Sequence, residues 1–107
     1  MPELPEVETT CRGIAPHIVG RTVREVIVRE PRLRWPVPAK LNQLMSGARF
    51  MSVSRRAKYL LVKTERGILM VHLGMSGSLR IMPADTPPLF HDHIAVVLDD
   101  GRCLRSH

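Results

Sequence analysis

Residues able to do covalent chemistry crowd into the first eight positions, MPELPEVE, where Glu3, Glu6 and Glu8 supply three of the six glutamates of an otherwise basic chain. Pro2 stands beside them. Removal of Met1, the usual processing before a small second residue, leaves Pro2 with a free secondary amine. A terminal amine titrates at about 7.7 to 8.0, against about 10.4 for lysine, so a useful fraction is neutral and nucleophilic at physiological pH. The pyrrolidine ring also fixes the direction of that nitrogen. A secondary amine attacking a sugar C1′ gives an iminium, the same electron sink that a lysine Schiff base provides. Glu3 is placed to act as acid or base on the same atoms, and Glu6 stands near the positive end of a helix. The same residues also read as an ordinary helix start, with Pro5 at the first helical position and acids in the first turn.

Other candidates are scattered along the chain, each with a plain structural alternative. Lys58 is one of three lysines and follows Arg55 and Arg56 at a predicted strand start, forming a compact cationic cluster. A solvated lysine that discourages edge pairing has the same appearance. Met75 lies between two glycines in LGMSG, either as an apolar side chain with no core to join or as a buried loop methionine. His91 sits in a polar loop, where a surface histidine is the alternative. His72 lies in an apolar strand and reads as a hydrogen-bonded structural histidine. Arg32 and Arg34 either hold phosphates or belong to a solvated basic loop. Cys11 and Cys103 are far apart with no paired spacing, so they give neither a disulfide framework nor a zinc site and read as reduced, buried small hydrophobes.

The elements that must position these groups follow from periodicity. Residues 5 to 19 read as a helix: Val7, Cys11, Ile14, Ala15 and Ile18 share one face, Gly20 suits the stop, and Pro16 is expected to distort the last turn. From Thr22 the pattern turns to strand, with Val23, Val26, Ile27 and Val28 in a β-branched run. A short helix is expected at 38 to 45. Strands follow at 48 to 55, 58 to 64, 68 to 73, 78 to 82 and 93 to 99, with a short last strand at 102 to 105. Glu65-Arg66-Gly67 and Asp100-Gly101 mark tight turns, and a Pro-rich loop separates Met82 from His93. Strands joined by tight turns without strand and helix alternation predict an α+β fold, an antiparallel β-sandwich with a barrel-like core flanked by two helices. The hairpin at Asp100-Gly101 has barely begun its return strand when the sequence stops, so the last hairpin of this domain, 1–107, reads as cut short.

Composition bounds the class of function. A chain of 107 residues makes one small domain with a single core, which excludes a multidomain machine. Apolar residues are 44% and mean hydropathy is −0.04, so the chain reads as globular and soluble, and its longest apolar run is too short to span a membrane. Sixteen Lys and Arg against ten Asp and Glu give +6, a balance that favours a polyanion. Thirteen of those cations are Arg, whose planar fork suits phosphate oxygens and base edges. One Trp, one Tyr and two Phe make no stacking platform for single strands, which points to duplex binding through the backbone. The start lacks the cationic and apolar stretches of a secretion signal, leaving the cytoplasm as the default compartment.

MPELPEVETTCRGIAPHIVGR closely resembles the start of the formamidopyrimidine-DNA glycosylases, bacterial enzymes that excise oxidised purines and then nick the strand. RLRWPVP (Arg32 to Pro38), RRAKYLL (Arg55 to Leu61), HLGMSGSLR (His72 to Arg80) and HDH (His91 to His93) resemble further stretches of that family in the same order. The opening is more like this branch than the related endonuclease VIII branch. The resemblance implies that Pro2 is the Schiff-base nucleophile, Glu3 the proton donor at the sugar and Glu6 a supporting carboxylate. It implies that Lys58 is the proton donor for β-elimination and touches a DNA phosphate. Met75 resembles a residue that enters the duplex and fills the gap left by a flipped nucleotide, a gap costing a few kcal/mol. His91 resembles a DNA-backbone contact, and Arg56, Arg32 and Arg34 fall among the expected DNA-binding residues. The implied partner is damaged double-stranded DNA, met by a monomer in the bacterial cytoplasm at the nucleoid, without a membrane. Members of the family continue into a helix-two-turn-helix domain and a zinc finger, so this chain is expected to be truncated before both. No cofactor is expected in it, the family's zinc belonging to that finger. A DNA-binding remnant with the catalytic motif unused is the alternative, and a chain unable to fold alone is a third.

Overall fold

The computed structural model describes residues 4–29, 40–72, 79–88 and 94–106. Helix α1, Leu4–Ile18, buries Val7, Cys11, Ile14 and Ile18, steps of three and four residues that keep one stripe inward. Pro16 lies inside the helix without ending it, since Val19 N–H still donates to Ala15 O at 3.0 Å. The stop comes at Gly20, whose φ of +88° is left-handed, and its N–H is taken by Phe50 O at 2.9 Å.

Seven strands follow among the described residues: β1 (Val23–Val28), β2 (Phe50–Arg56), β3 (Tyr59–Thr64), β4 (Gly67–His72), β5 (Leu79–Pro83), β6 (Ile94–Leu98) and β7 (Arg102–Ser106). All pairings are antiparallel. They make a four-stranded sheet ordered β1-β6-β7-β5 and a three-stranded sheet ordered β2-β3-β4. Helix α2, Leu41–Met45, lies against β1, where Asn42 Oδ1 accepts from Val26 N–H at 2.8 Å. Side chains of α1, α2 and both sheets meet in one core that includes Val7, Ile14, Ile18, Val26, Met45, Phe50, Leu60, Val62, Val96, Leu98 and Leu104. The predicted two-helix antiparallel sandwich is therefore the observed architecture.

The boundaries differ in small ways with clear causes. The strand expected at 48 to 55 runs 50–56, because Arg49 forms an isolated bridge to Thr22 instead of joining the β2 ladder. The short helix begins at Leu41, and positions 38 and 39 lie outside the described residues. The return strand β7 is paired on both sides, Ser106 lying opposite both Leu79 and Ile94. Cys11 and Cys103 are buried and not joined in a disulfide, as expected. Arg105, which sequence gave no reason to single out, is 2% exposed in the middle of that sheet. Its guanidinium donates to Met82 Sδ at 3.3 Å, to Ala84 O at 3.3 Å and to Thr86 O, fastening the turn after β5.

Candidate active site

The direction of each element decides what meets at each end of the sandwich. At one end, Gly20 N–H bonds Phe50 O, Val23 N–H bonds Ala48 O, and Asp99 N–H bonds Thr22 O. Arg102 joins the same end, its Nη2 donating to His17 O at 3.1 Å and its Nη1 lying 2.9 Å from His17 Nδ1. The C-terminus of α1, the starts of β1 and β2 and the β6–β7 turn therefore share that end. Helix α1 runs back along β2, Cys11 Sγ lying 3.6 Å from Val53 O and Arg55 Nε donating to Glu8 Oε2 at 3.0 Å, so the start of α1 stands at the end of β2.

The register lines up strand ends within each sheet. Val28 pairs with Ile94, Ile94 with Ser106 and Ser106 with Leu79, while Arg56 pairs with Tyr59 and Tyr59 with His72. Pro2, Glu3, Arg32, Arg34, Met75 and His91 lie outside the described residues. Of the described residues that flank their segments, Leu4 begins α1 and His72 lies level with the Lys58 turn in the three-stranded sheet, while Leu79 and Ile94 share one edge of the four-stranded sheet with Val28, next to Arg29.

Glu6, Lys58 and Arg56 are described, and all three are exposed where the start of α1 meets the end of β2. Glu6 is in the first turn of α1. Lys58 is not in a strand, as the predicted 58–64 had it, but in the turn before β3. Pairing of Arg56 with Tyr59 leaves Ala57 and Lys58 as a two-residue loop, and Ala57 takes a left-handed φ of +53° to close it. The expected cluster of three cations is also altered. Arg55 turns toward α1, its Nε donating to Glu8 Oε2 at 3.0 Å, while its Nη1 donates to Ala57 O at 3.2 Å. Glu8 accepts on its other oxygen from Arg12 Nε at 3.1 Å. Bonding to Arg55, and then to Arg12, holds the Glu8 carboxyl below its ordinary value.

His72 corrects another expectation. Its ring stands edge-on to Tyr59, centroids 4.9 Å apart, because the register makes them direct cross-strand neighbours. Its Nδ1 is buried without a hydrogen-bond partner among the described residues, so the expected hydrogen-bonded histidine is not seen at that atom. Burial pushes the Cys11 thiol up, and its Sγ lies 3.6 Å from Val53 O, a packing role away from the exposed groups. Among the described residues, no three His, Cys, Asp or Glu side chains converge on a point that could hold a metal, and no helix is long and apolar enough to cross a membrane.

The sequence matches the formamidopyrimidine-DNA glycosylase N-terminal domain over residues 1–107. The chain belongs to that family. It is 61% identical to a formamidopyrimidine-DNA glycosylase of Thioalkalivibrio sulfidiphilus, over 100% of this chain and 40% of the relative. Against the Xanthomonas campestris protein of the same name, identity is 58% over 98% of this chain and 39% of the relative. Among solved structures, the Lactococcus lactis glycosylase in complex with DNA containing FAPY-dG superposes with a TM-score of 0.86 at 32% identity, over 97% of this chain and 40% of that one. The same enzyme bound non-covalently to DNA containing an AP site gives 0.87 at 32% identity, over 98% and 41%. The chain thus spans about 40% of the length of the relatives it matches.

Proposed function

We propose that this formamidopyrimidine-DNA glycosylase N-terminal domain carries the catalytic groups of a bifunctional DNA glycosylase and AP lyase acting on oxidised purines in duplex DNA. The observation that carries the proposal is the meeting of the start of α1 with the turn that bears Lys58. Arg55 ties the two, and His72, the described flank of the segment bearing Met75, lies level with that turn in the register. The formamidopyrimidine-DNA glycosylases that the chain resembles, one of them solved both with FAPY-dG DNA and with AP-site DNA, support the substrate class.

In the proposed reaction the damaged nucleotide is flipped out and Met75 fills the space it leaves, limiting the cost of unstacking. The neutral amine of Pro2 attacks C1′, the bond from C1′ to the base breaks, and the base leaves with its bonding electrons and a proton. Glu3 assists opening of the sugar ring by protonating its oxygen, and Glu6 supports it. The resulting iminium acidifies the C2′ proton. Loss of that proton pushes electrons toward C3′ and expels the 3′ phosphate, with Lys58 handling the proton of the elimination beside the phosphate. His91, Arg56, Arg32 and Arg34 hold the DNA backbone, in keeping with a net charge of +6. The proposal needs no metal or organic cofactor in these residues, a monomer suffices for it, and it places the protein with bacterial DNA in the cytoplasm.

Incubating the chain with a duplex containing an abasic site tests the proposal. Nicking is expected, and Lys58→Ala is expected to lower it by on the order of a hundredfold, the usual weight of a positioned acid or base. Binding without any nicking would overturn the lyase in this chain and favour the DNA-binding remnant.

A further inference from the structure

The turn that carries Lys58 is fastened to α1 by one guanidinium. Arg55 Nε donates to Glu8 Oε2 at 3.0 Å, and Nη1 of the same side chain donates to Ala57 O at 3.2 Å. That carbonyl belongs to the peptide leading into Lys58, and Ala57 is the left-handed residue that closes the turn. Glu8 is itself steadied from behind, since Arg12 Nε donates to Oε1 at 3.1 Å one helical turn along. The bonds therefore run from the helix, through one planar fork, into the backbone of the turn. A guanidinium can do this because its donors are rigidly spaced, whereas an ammonium is a single point.

Stability does not account for the arrangement. The side chains of Glu8 and Arg55 are 40% and 33% exposed, and ion pairs this open add little to folding. Their location is more telling. Arg55 stands three positions before Lys58, and Glu8 six positions after Pro2. Lys58 lies in the turn between β2 and β3, Pro2 precedes α1 by two positions in the sequence, and this fork bridges that turn to that helix.

We infer that Glu8 and Arg55 are positioning residues, a clamp that holds the Lys58 turn in register with the N-terminal end of α1. Resting on the proposed lyase function, the clamp acts on elimination, the step that uses Lys58, more than on attack at C1′, which uses the amine at Pro2. Proton transfer requires heavy atoms within hydrogen-bond reach, so a turn released from α1 loses rate even though Lys58 itself is intact.

Two variants and two readouts on one abasic duplex test this. Glu8→Gln removes the charge but keeps the shape, and Arg55→Lys keeps the charge but cannot hold Glu8 and Ala57 O together. Borohydride trapping reports attack at C1′, and nicking reports elimination. Both variants are expected to trap within about twofold of the parent chain while nicking falls on the order of tenfold, at a nearly unchanged melting temperature. Equal loss of trapping and nicking would make the pair a general support and overturn the clamp, as would unchanged nicking. A third measurement needs no activity. In the free chain, amide hydrogen exchange at Ala57, Lys58 and Tyr59 is expected to quicken in Glu8→Gln, and unchanged exchange overturns the clamp. Should the parent chain neither trap nor nick, the lyase proposal fails, and the exchange result still decides whether the clamp exists.

Discussion

Val7 is the most direct handle on how α1 is held. It is fully buried one turn into the helix, within the core shared by both sheets. Val7→Ala removes two methyl groups, each worth about 0.8 kcal/mol of burial, or about 1.6 kcal/mol together. The unfilled space adds up to about 1 kcal/mol, because neighbours close only part of such a cavity. Alanine is the better helix former and returns about 0.5 kcal/mol. The net loss is about 2 kcal/mol, which for a domain of this size lowers the melting temperature by about 10 °C. Differential scanning calorimetry of the parent, Val7→Ala and Val19→Ala measures it. Val19 has the same side chain at 43% exposure just past the end of the helix, and its truncation is expected to cost less than about 0.5 kcal/mol. A shift in Val7→Ala no larger than in Val19→Ala would refute the placement of α1 over the core.

Further outcomes follow from particular side chains. Ala57→Gly relieves a left-handed alanine and is expected to raise stability by up to about 1 kcal/mol in chemical denaturation, a loss meaning that the turn closes differently. Arg105→Leu leaves the carbonyls of Ala84 and Thr86 without this donor in a partly buried setting and is expected to cost about 3 kcal/mol by the same measurement, whereas a neutral result would show that the fastening is dispensable. The Asp100 carboxyl is held below its ordinary 3.8, first by the Arg102 side chain and then by the Arg102 backbone N–H. A carboxyl depressed by folding stabilises above its unfolded value, and that contribution is lost as pH falls through the folded one. Melting temperature followed into acid should therefore drop less below about pH 3.8 in Asp100→Asn than in the parent, and parallel acid limbs would contradict the assigned bonds.

What could be read from the residues alone was local. The stripe Val7, Cys11, Ile14, Ile18 announces its helix because its period is helical, and Asp100-Gly101 announces a hairpin because glycine there takes a φ of +85°. The strand IAVVL is apolar almost throughout because β6 lies inside its sheet, between β1 and β7. The division of the strands between two sheets was not legible, since β1 pairs with β6 across some seventy residues and nothing local fixes that partner. Burial of Arg105 was hidden for the same reason, a charge in β7 being enclosed only because β5 and β6 flank it. At the candidate site, the Glu8–Arg12 pair is local, four positions apart on one helix, but Arg55 lies 47 positions from Glu8 and its role appears only in the fold. The proposed roles of Met75 and His91 come from motif resemblance, those of Pro2 and Glu3 from amine and carboxyl chemistry together with it, and all four residues lie outside the described ones.

The central claim is that the attacking group is the amine of Pro2. Borohydride reduction of the chain on an abasic duplex, followed by proteolysis and mass mapping of the cross-linked peptide, tests it most directly. The account predicts a single adduct on the N-terminal peptide, at the nitrogen of Pro2 and on molecules that have lost Met1. An adduct on Lys40, Lys58 or Lys63, or on chains that still carry Met1, would contradict it.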